Sequence, residues 1–167
     1  MTEFRKISII GLGLIASAIC RTIRQKDPAI QIAGYDSDKE VRNRAKKIDL
    51  CEIKSTIGHV VHGSKLIILC VPVGQMRSVV QKLKKFIKPG TTIIDVGSVK
   101  QSVIEEIESD IEQARGNFVP SHPIAGTERS GPEAGYAGLF KDRWCILTPT
   151  KKTNKKALKV SKRSGSF

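Results

Sequence analysis

One glycine-rich segment has the spacing that binds the pyrophosphate of a dinucleotide. Residues 11–16 read GLGLIA, a G-x-G-x-x-A pattern, and they follow an apolar run typical of a strand. The first glycine permits a tight turn, the second leaves room for the pyrophosphate, and the small residue at position 16 lets helix and strand pack closely. Free N–H groups at the start of the following helix attract phosphate. We therefore predict that this segment binds a dinucleotide through Gly11, Gly13, Leu14, Ile15 and Ala16.

A carboxylate ends the next predicted strand and could read the ribose of that dinucleotide. Asp36 follows the strand-like sequence QIAGY, and a carboxylate there accepts hydrogen bonds from both ribose hydroxyls of NAD. The same charge repels the 2′-phosphate of NADP. Alternatively, Asp36 caps the next helix, although Asp38 is also placed to be that cap. We predict a ribose contact from Asp36 and favour NAD over NADP as the cofactor.

A histidine and a serine follow two later predicted strands and could act on an alcohol. In open α/β sheets, ligands bind beyond the carboxyl ends of the strands. His122 and Ser98 both lie there, as do Val71 and Pro72, which we predict to contact the cofactor. Oxidation of an alcohol needs a base near the hydroxyl, and histidine is the residue most often used. We expect His122 to be that base and Ser98 to bind the same hydroxyl; the alternative is a loop histidine bonded to backbone.

Short β-rich runs alternate with amphipathic segments along the chain, which is the pattern of βαβ units around a parallel sheet. The run LIILCV at 66–71 is uniformly apolar, as expected for a strand covered on both sides. The predicted fold class is α/β, a Rossmann-type doubly wound and mostly parallel sheet. Strands are predicted at 6–10, 31–35, 51–53, 66–71, 91–96, 144–147 and from 118, and helices at 14–25, 39–47, 75–86 and 99–113, with a short helical segment before Ser64.

About half of the net charge of +13 lies in the last 17 residues of the chain, which bears on a nucleic-acid function. Residues 151–167 contain seven basic residues and no acidic ones, whereas the first 150 contain 22 basic and 16 acidic residues. A moderately basic body suits an anionic cofactor and substrate. Aromatic residues make up only 5% of the sequence, so no stacking platform for bases is evident. We predict no nucleic-acid partner.

The cysteines and the two other histidines do not form a recognisable metal or redox motif. The four cysteines are scattered without a C-x-x-C pair, and none resembles a nucleophile. His59 and His62 are three residues apart but have no further ligand candidate nearby, which favours a surface or helix-capping role. The first thirty residues do not have the pattern of a signal peptide, and the apolar run at 66–73 is far too short to span a bilayer. We predict a cytoplasmic protein with no metal and no membrane partner.

Six segments of the sequence together carry a resemblance to a known family. They are GLGLIASAI (11–19), GYD (34–36), CVPV (70–73), DVGSVK (95–100), HPIAGTERSGPEAG (122–135) and LFKDRWCILTP (139–149). In this order they resemble the prephenate and arogenate dehydrogenases of tyrosine biosynthesis, over residues 6–149. The glycine turn alone would fit many reductases, but HPIAGTE-x-SGP is far more specific and decides the resemblance.

The resemblance implies an enzyme that oxidatively decarboxylates prephenate or arogenate and transfers hydride to NAD. In the family, the histidine that matches His122 is the catalytic base, and the serine that matches Ser98 bonds the substrate hydroxyl. The positions of Thr127 and Glu128 lie at the substrate entrance. Arg129 and Arg143 carry charges that could attract the carboxylates of the substrate.

The resemblance also implies a domain that this sequence does not contain. Family members continue into a mainly helical domain that forms the homodimer, closes the substrate pocket and supplies a carboxylate-binding arginine. We therefore expect an NAD-binding Rossmann domain at 1–150, with a basic tail at 151–167 as the stub of the linker. Two alternatives stay open: a truncated NAD-binding module without turnover, and a different Rossmann reductase that acts on imines or hydroxy acids.

Overall fold

Apolar runs of four or five residues form the centre of a parallel sheet in the computed structural model, which describes residues 4–164. The six strands of this sheet lie in the order β3-β2-β1-β4-β5-β6, and all neighbours are parallel. This is the doubly wound order of dinucleotide-binding folds, so the predicted fold class is confirmed. The strands are β1 (Lys6–Ile10), β2 (Gln31–Tyr35), β3 (Glu52–Ile53), β4 (Leu66–Leu69), β5 (Thr92–Asp95) and β6 (Asn117–Val119).

Helices cover both faces of the sheet because alternate strand residues point to opposite sides. In β4, Ile68 belongs to one apolar cluster, whereas Ile67 and Leu69 belong to the other. The first cluster packs α1, α2 and α6 on the sheet, and the second packs α3, α4 and α5. The helices are α1 (Leu14–Lys26), α2 (Lys39–Lys47), α3 (Ile57–Val61), α4 (Met76–Leu83), α5 (Lys100–Gln113) and α6 (Lys155–Ser164). Within residues 4–164, none of them combines the length and the apolar character that crossing a bilayer requires.

The strand predicted to begin at residue 118 is in fact two short strands. Proline has no N–H group, and Pro120 separates β6 from β7 (Ser121–Pro123). The chain changes partner there: β7 pairs antiparallel with β8 (Cys145–Leu147) in a separate two-stranded sheet, called the ribbon below. The carbonyl of Pro120 accepts a hydrogen bond from the Thr148 N–H at 3.0 Å, which continues the ribbon to its junction with β6.

Two other predicted elements are shorter in the structure than the sequence indicated. β4 ends at Leu69 rather than at Val71, because the chain turns away from the sheet before Pro72. The helix predicted at 75–86 is α helical only over Met76–Leu83 and has a 3₁₀ turn at each end. The shortened β4 leaves residues 70–73 free to line a cavity at the end of the sheet.

The predicted basic tail contains a helix that packs on the sheet. The Asn154 side chain caps α6 by accepting hydrogen bonds from the N–H groups of Lys156 and Ala157. Ala157 is only 3% exposed and joins the apolar cluster that includes Phe4. Residues 165–167 of the tail lie outside the described residues, and the domain division at residue 150 stays a prediction.

A long segment between the two ribbon strands, residues 124–143, crosses the outer side of α1 and is called the crossing loop below. The Ser17 hydroxyl donates to the Pro132 carbonyl at 2.5 Å, and the Thr22 hydroxyl donates to the Ala137 carbonyl at 2.9 Å. Gly135 lies so close to α1 that a Cβ there would be 2.6 Å from the Ser17 Cβ. The loop therefore needs a residue without a side chain at position 135.

Replacement of Gly135 by alanine is expected to lower the free energy of unfolding by about 1–3 kcal/mol, because the new methyl group overpacks the contact with α1. The matched control is Gly126→Ala in the same loop, where a Cβ would meet no atom within 4 Å. Urea unfolding of both variants measures the difference. Equal stability of the two would show that the crossing loop is not held tightly against α1.

Candidate functional site

A cavity of about 630 Å³ lies at the carboxyl ends of the parallel strands. It opens where β1 and β4 lie side by side and the winding of the sheet reverses, which is the usual ligand site of this architecture. We call it the strand-end cavity. Its lining includes Gly11, Gly13, Leu14, Ile15, Asp36, Val71, Pro72 and Ser98 from the predicted site, together with Tyr35, Ser37, Asp38, Gln75, Lys82 and Gly97.

The glycine turn is fixed on two sides by backbone and open on the third. The Gly11 N–H donates to the Tyr35 carbonyl at 2.8 Å, and a Cβ on Gly11 would be 2.5 Å from the Cys70 carbonyl oxygen. Gly11 also has a φ of 88°, which favours glycine. By contrast, a Cβ on Gly13 would meet nothing within 4 Å, although Gly13 lines the cavity. The second glycine therefore keeps open the space that a ligand would fill.

The start of α1 offers hydrogen-bond donors to that space. Gly13 is the N-cap of α1 and has no side chain to accept from the first turn. The first N–H groups of a helix have no partner within the helix, and the helix dipole makes this end attractive to anions. Ala16 is fully buried and does not line the cavity, so its side chain serves the packing of α1 rather than a ligand contact. The donors and the open space fit a pyrophosphate.

Asp36 connects the glycine turn to the end of β2. Its Oδ2 accepts from the Leu12 N–H at 2.8 Å, and its Oδ1 accepts from the Asp38 N–H at 2.9 Å. The cap of α2 is Asp38, whose Oδ1 accepts from the Glu40 N–H at 2.8 Å. The alternative in which Asp36 caps the helix is therefore wrong. Each carboxylate oxygen of Asp36 keeps a second lone pair, which could accept a ribose hydroxyl in the cavity.

Ser98 and His122 lie on different parts of the chain near this edge of the sheet. Ser98 follows β5, lines the strand-end cavity and is exposed. His122 is half-buried in β7, directly opposite Ile146 of β8, and it does not line that cavity. Within residues 4–164, neither side chain has a hydrogen-bond partner. His122 is therefore a strand residue of the ribbon, and its ring is not held by a backbone carbonyl.

One side of the ribbon is apolar and exposed around His122. Residues opposite each other in an antiparallel pair point to the same side, so His122 and Ile146 share one side with their alternate neighbours Ile124 and Trp144. Trp144 is 82% exposed and Ile146 is 50% exposed. The other side carries the buried Ser121. His122 is thus presented on an open apolar surface.

A buried ion pair joins the loop that carries Ser98 to the strand that carries His122. Asp95 is fully buried at the end of β5, and its Oδ2 accepts from the Gly97 N–H at 2.9 Å and from the Lys100 ammonium. Its Oδ1 accepts from the Ser121 N–H at 3.0 Å. Burial lowers the pKa of Lys100, and the Asp95 carboxylate opposes that effect. Asp95 therefore contacts the residues directly before both Ser98 and His122.

Thr127 and Glu128 lie in a different cavity from the glycine turn. They line an open pocket of about 480 Å³ in the crossing loop, together with Arg129, Ala134 and Tyr136. Arg143 is exposed just before the ribbon strand β8. The structure therefore brings Ser98 to the strand-end cavity but leaves Thr127 and Glu128 outside it.

Comparison with known families agrees with this arrangement. The family described as "Prephenate dehydrogenase, nucleotide-binding domain" matches residues 19–164. A cyclohexadienyl dehydrogenase from Zymomonas mobilis is 40% identical over 159 residues, which are 95% of this chain and 54% of that protein. The chain belongs to the prephenate dehydrogenase family. A prephenate dehydrogenase from Bacillus subtilis is 32% identical over 158 residues, 93% of this chain and 42% of that protein.

Solved structures of prephenate dehydrogenases have the same fold. The enzyme from A. aeolicus, in complex with hydroxyphenyl propionate and NAD+, superposes with a TM-score of 0.87 at 33% identity and covers 97% of this chain. Arogenate dehydrogenase from Synechocystis gives a TM-score of 0.83 at 26% identity, over 95% of this chain and 55% of that one. The chain spans about half the length of the relatives it matches.

Sequence reasoning missed the Asp95–Lys100 pair of this prephenate dehydrogenase domain, although both residues lie in the DVGSVK segment. A signal was present: Asp95 ends a run of buried strand residues, and a carboxylate in that position needs a charged or N–H partner. Among the described residues, no group of three His, Cys, Asp or Glu side chains could hold a metal ion. Burial raises the pKa of the Cys70 and Cys145 thiols, which keeps them protonated at neutral pH.

Replacement of Lys100 by methionine is expected to lower the free energy of unfolding by about 3–5 kcal/mol, because it leaves the Asp95 carboxylate buried without a cation. The control is Lys152→Met. Lys152 pairs with Glu112 at 2.8 Å, but both side chains are more than half exposed, so its loss should cost only about 0–1 kcal/mol. Denaturant unfolding measures both. A small effect at Lys100 would contradict the assignment of a buried, charged pair.

Proposed function

We propose that this chain binds NAD in the strand-end cavity and forms the dehydrogenase site of a protein that oxidatively decarboxylates prephenate or arogenate. One observation carries the proposal: the glycine turn, Asp36 and Ser98 line one cavity at the reversal point of the sheet. The relative from A. aeolicus was solved with NAD+ and hydroxyphenyl propionate, which supports this choice of cofactor and substrate class. As parts of the same proposal, the whole protein is a homodimer and works in the cytoplasm.

Different residues that line the cavity suit successive parts of the NAD molecule. The N–H groups at the start of α1 would hold the pyrophosphate in the space beside Gly13. Asp36 would accept the ribose hydroxyls, and its negative charge disfavours the extra phosphate of NADP. Val71 and Pro72 would provide an apolar wall beside the glycine turn. Ser98 and Gly97 lie at the end of the lining that faces β5, where the reactive half of the cofactor would meet the substrate.

His122 and Ser98 then act on the substrate hydroxyl. When bound, the nicotinamide supplies the acceptor for the hydride that leaves the ring carbon bearing this hydroxyl. Ser98 donates a hydrogen bond to the hydroxyl oxygen, and His122 takes the hydroxyl proton as the carbon is oxidised. The carbon–carboxylate bond across the ring breaks, its electron pair makes the ring aromatic, and carbon dioxide leaves. His122 returns its proton to the phenolate oxygen, so no net proton is released.

The exposed apolar side of the ribbon suits the ring of such a substrate. Ile146 lies opposite His122 and is half exposed, so a cyclohexadiene ring could pack on it while its hydroxyl meets the imidazole. Thr127 and Glu128 would lie at the entrance, and Arg129 of the same pocket would attract a carboxylate. Both prephenate and arogenate have the ring and the carboxylates that this arrangement requires.

A second function is an NAD-binding module without turnover. It is favoured by one observation: His122 does not line the strand-end cavity, and the side of the ribbon that carries it is open, with Trp144 82% exposed. A base on an open surface is exposed to water, which weakens the electrostatic interactions on which catalysis depends.

The glycine turn provides a direct test of cofactor binding. Gly13→Ala is expected to lower the affinity for NAD by at least about tenfold, which corresponds to ~1.4 kcal/mol, because the new methyl group enters the space that the pyrophosphate would fill. The fold should not change, since a Cβ there meets no protein atom within 4 Å. Calorimetric titration measures the affinity. Gly126→Ala, which is equally free of steric contacts, is the control, and equal NAD affinity in the two variants would remove the glycine turn from the site.

Cofactor choice and turnover are tested on the 167-residue chain. Titration with NAD and with NADP gives the two affinities, and the absorbance of reduced cofactor with prephenate or arogenate present gives turnover. We expect NAD to bind more tightly than NADP. If the chain turns over, His122→Asn should lower kcat by about 10²–10⁴-fold and leave NAD affinity unchanged. NAD binding without turnover would support the binding module. Binding of neither cofactor by the folded chain would contradict both functions.

A further inference from the structure

We propose that Asp95, Lys100 and Ser121 are positioning residues that set Ser98 and His122 in place relative to each other. The proposal rests on the proposed function, in which these two side chains act on one hydroxyl. It goes beyond that function because it assigns a role to a buried cluster that contributes no side chain to the lining of the strand-end cavity.

The position of His122 relative to Ser98 is not determined by the main sheet. Ser98 follows β5 of the six-stranded sheet, whereas His122 lies in β7, which within residues 4–164 pairs with β8 alone. No strand ladder therefore connects the two segments. The chain link between them consists of α5, β6 and the junction at Pro120. Other interactions must hold the ribbon against the end of β5.

The Asp95 carboxylate supplies the first of those interactions. Its Oδ2 holds the N–H of Gly97 at 2.9 Å, and its Oδ1 holds the N–H of Ser121 at 3.0 Å. Gly97 is the residue before Ser98, and Ser121 is the residue before His122. One rigid, planar group thus fixes the backbone next to each of the two side chains.

Lys100 and the Ser121 hydroxyl close the arrangement from the other side. The Lys100 ammonium donates to Asp95 Oδ2 and, at 2.6 Å, to the carbonyl of Ser121. The Ser121 hydroxyl donates to the backbone carbonyl of Asp95. β5 and β7, which belong to separate sheets, are therefore joined in three ways: the Ser121 N–H bonds the Asp95 carboxylate, the Ser121 hydroxyl bonds the Asp95 carbonyl, and the Lys100 ammonium bridges both residues. All of these groups are buried or nearly so: Asp95 is 0% exposed and the Lys100 side chain is 13% exposed.

A role in positioning Ser98 and His122, rather than a gain in stability, explains why charged groups are buried here. Apolar side chains of similar volume often stabilise a core as well as a buried ion pair does, but their contacts are not directional. Hydrogen bonds that involve charged groups are short and directional. The packing is also close: a Cβ on Gly97 would lie 3.1 Å from Asp95 Oδ2 and 3.2 Å from Val73 Cγ2, and Val73 lines the strand-end cavity. A shift of the carboxylate would therefore move the loop that carries Ser98.

The test compares Lys100→Met, Lys100→Arg and Ser121→Ala with the control Lys84→Met. Lys84 pairs with Asp110 at 2.9 Å and joins the 3₁₀ turn after α4 to α5 rather than joining the two sheets. Nuclear magnetic resonance records the backbone amide signal of Ser98 and the imidazole signals of the three histidines. Steady-state kinetics with prephenate give kcat and KM. His59 and His62 on and beside α3 are internal references.

We expect Ser121→Ala and Lys100→Met to move the His122 and Ser98 signals and to leave the signals of His59 and His62 in place. If the unmodified protein shows turnover, the kcat of these two variants should be about tenfold to a hundredfold lower, since small displacements of reacting groups have effects of this size. KM and NAD affinity should change less than about twofold. Lys100→Arg keeps the cation and should restore part of kcat, and Lys84→Met should change none of these readouts.

Two results would overturn the proposal. One is that the variants are less stable while the His122 and Ser98 signals stay unchanged; the other is that kcat stays at its wild-type value. If Lys100→Met does not fold, Ser121→Ala decides alone, since it removes one hydroxyl and leaves the ion pair intact. If the unmodified protein binds NAD but shows no turnover, the binding module replaces the dehydrogenase function, and the resonance shifts still decide whether this cluster positions the two side chains.

Discussion

The open start of α1 is the feature on which the rest of the site depends. Its first N–H groups have no acceptor within the helix, and the residue that precedes it is a glycine without a side chain. The turn keeps its position because the Gly11 N–H donates to the carbonyl of Tyr35 at the end of β2, and because the carbonyl of Cys70, just after β4, lies where a side chain on Gly11 would be. Asp36 then ties the same turn to the segment that leads into α2. The parallel strands thus shape the cavity through their backbone.

The two halves of the candidate site are built in different ways. The half around the glycine turn is formed by segments that leave a buried six-stranded sheet, so each is fixed by its strand. The half around His122 belongs to a two-stranded ribbon whose apolar side is open, and two short strands are weakly stable on their own. The Asp95–Lys100 pair lies where the two halves meet. A precise relation between Ser98 and His122 requires such a link.

The fold around the first half was predicted well from the sequence, and the fold around the second half incompletely. Strand periodicity and the capping role open to Asp38 depend on local chemistry, and the predicted fold class and the Asp38 cap are confirmed. The separate ribbon depends on the pairing of Ser121 with Leu147, which no local pattern reveals. The contact of Asp95 with Ser121 likewise spans 26 residues. The site residues named from the sequence stay predictions until binding and turnover are measured.

The crossing loop has a consequence for the order in which the chain becomes structured during synthesis. The hydroxyls of Ser17 and Thr22 each bond a carbonyl 115 residues later in the chain. Until those residues have left the ribosome, the outer side of α1 lacks its cover, although β1 and β2 are already available to pair. Contacts of such long range slow folding and leave apolar surface open to chaperones and proteases meanwhile. The helix that begins the cofactor site is therefore among the first to be made and among the last to be enclosed.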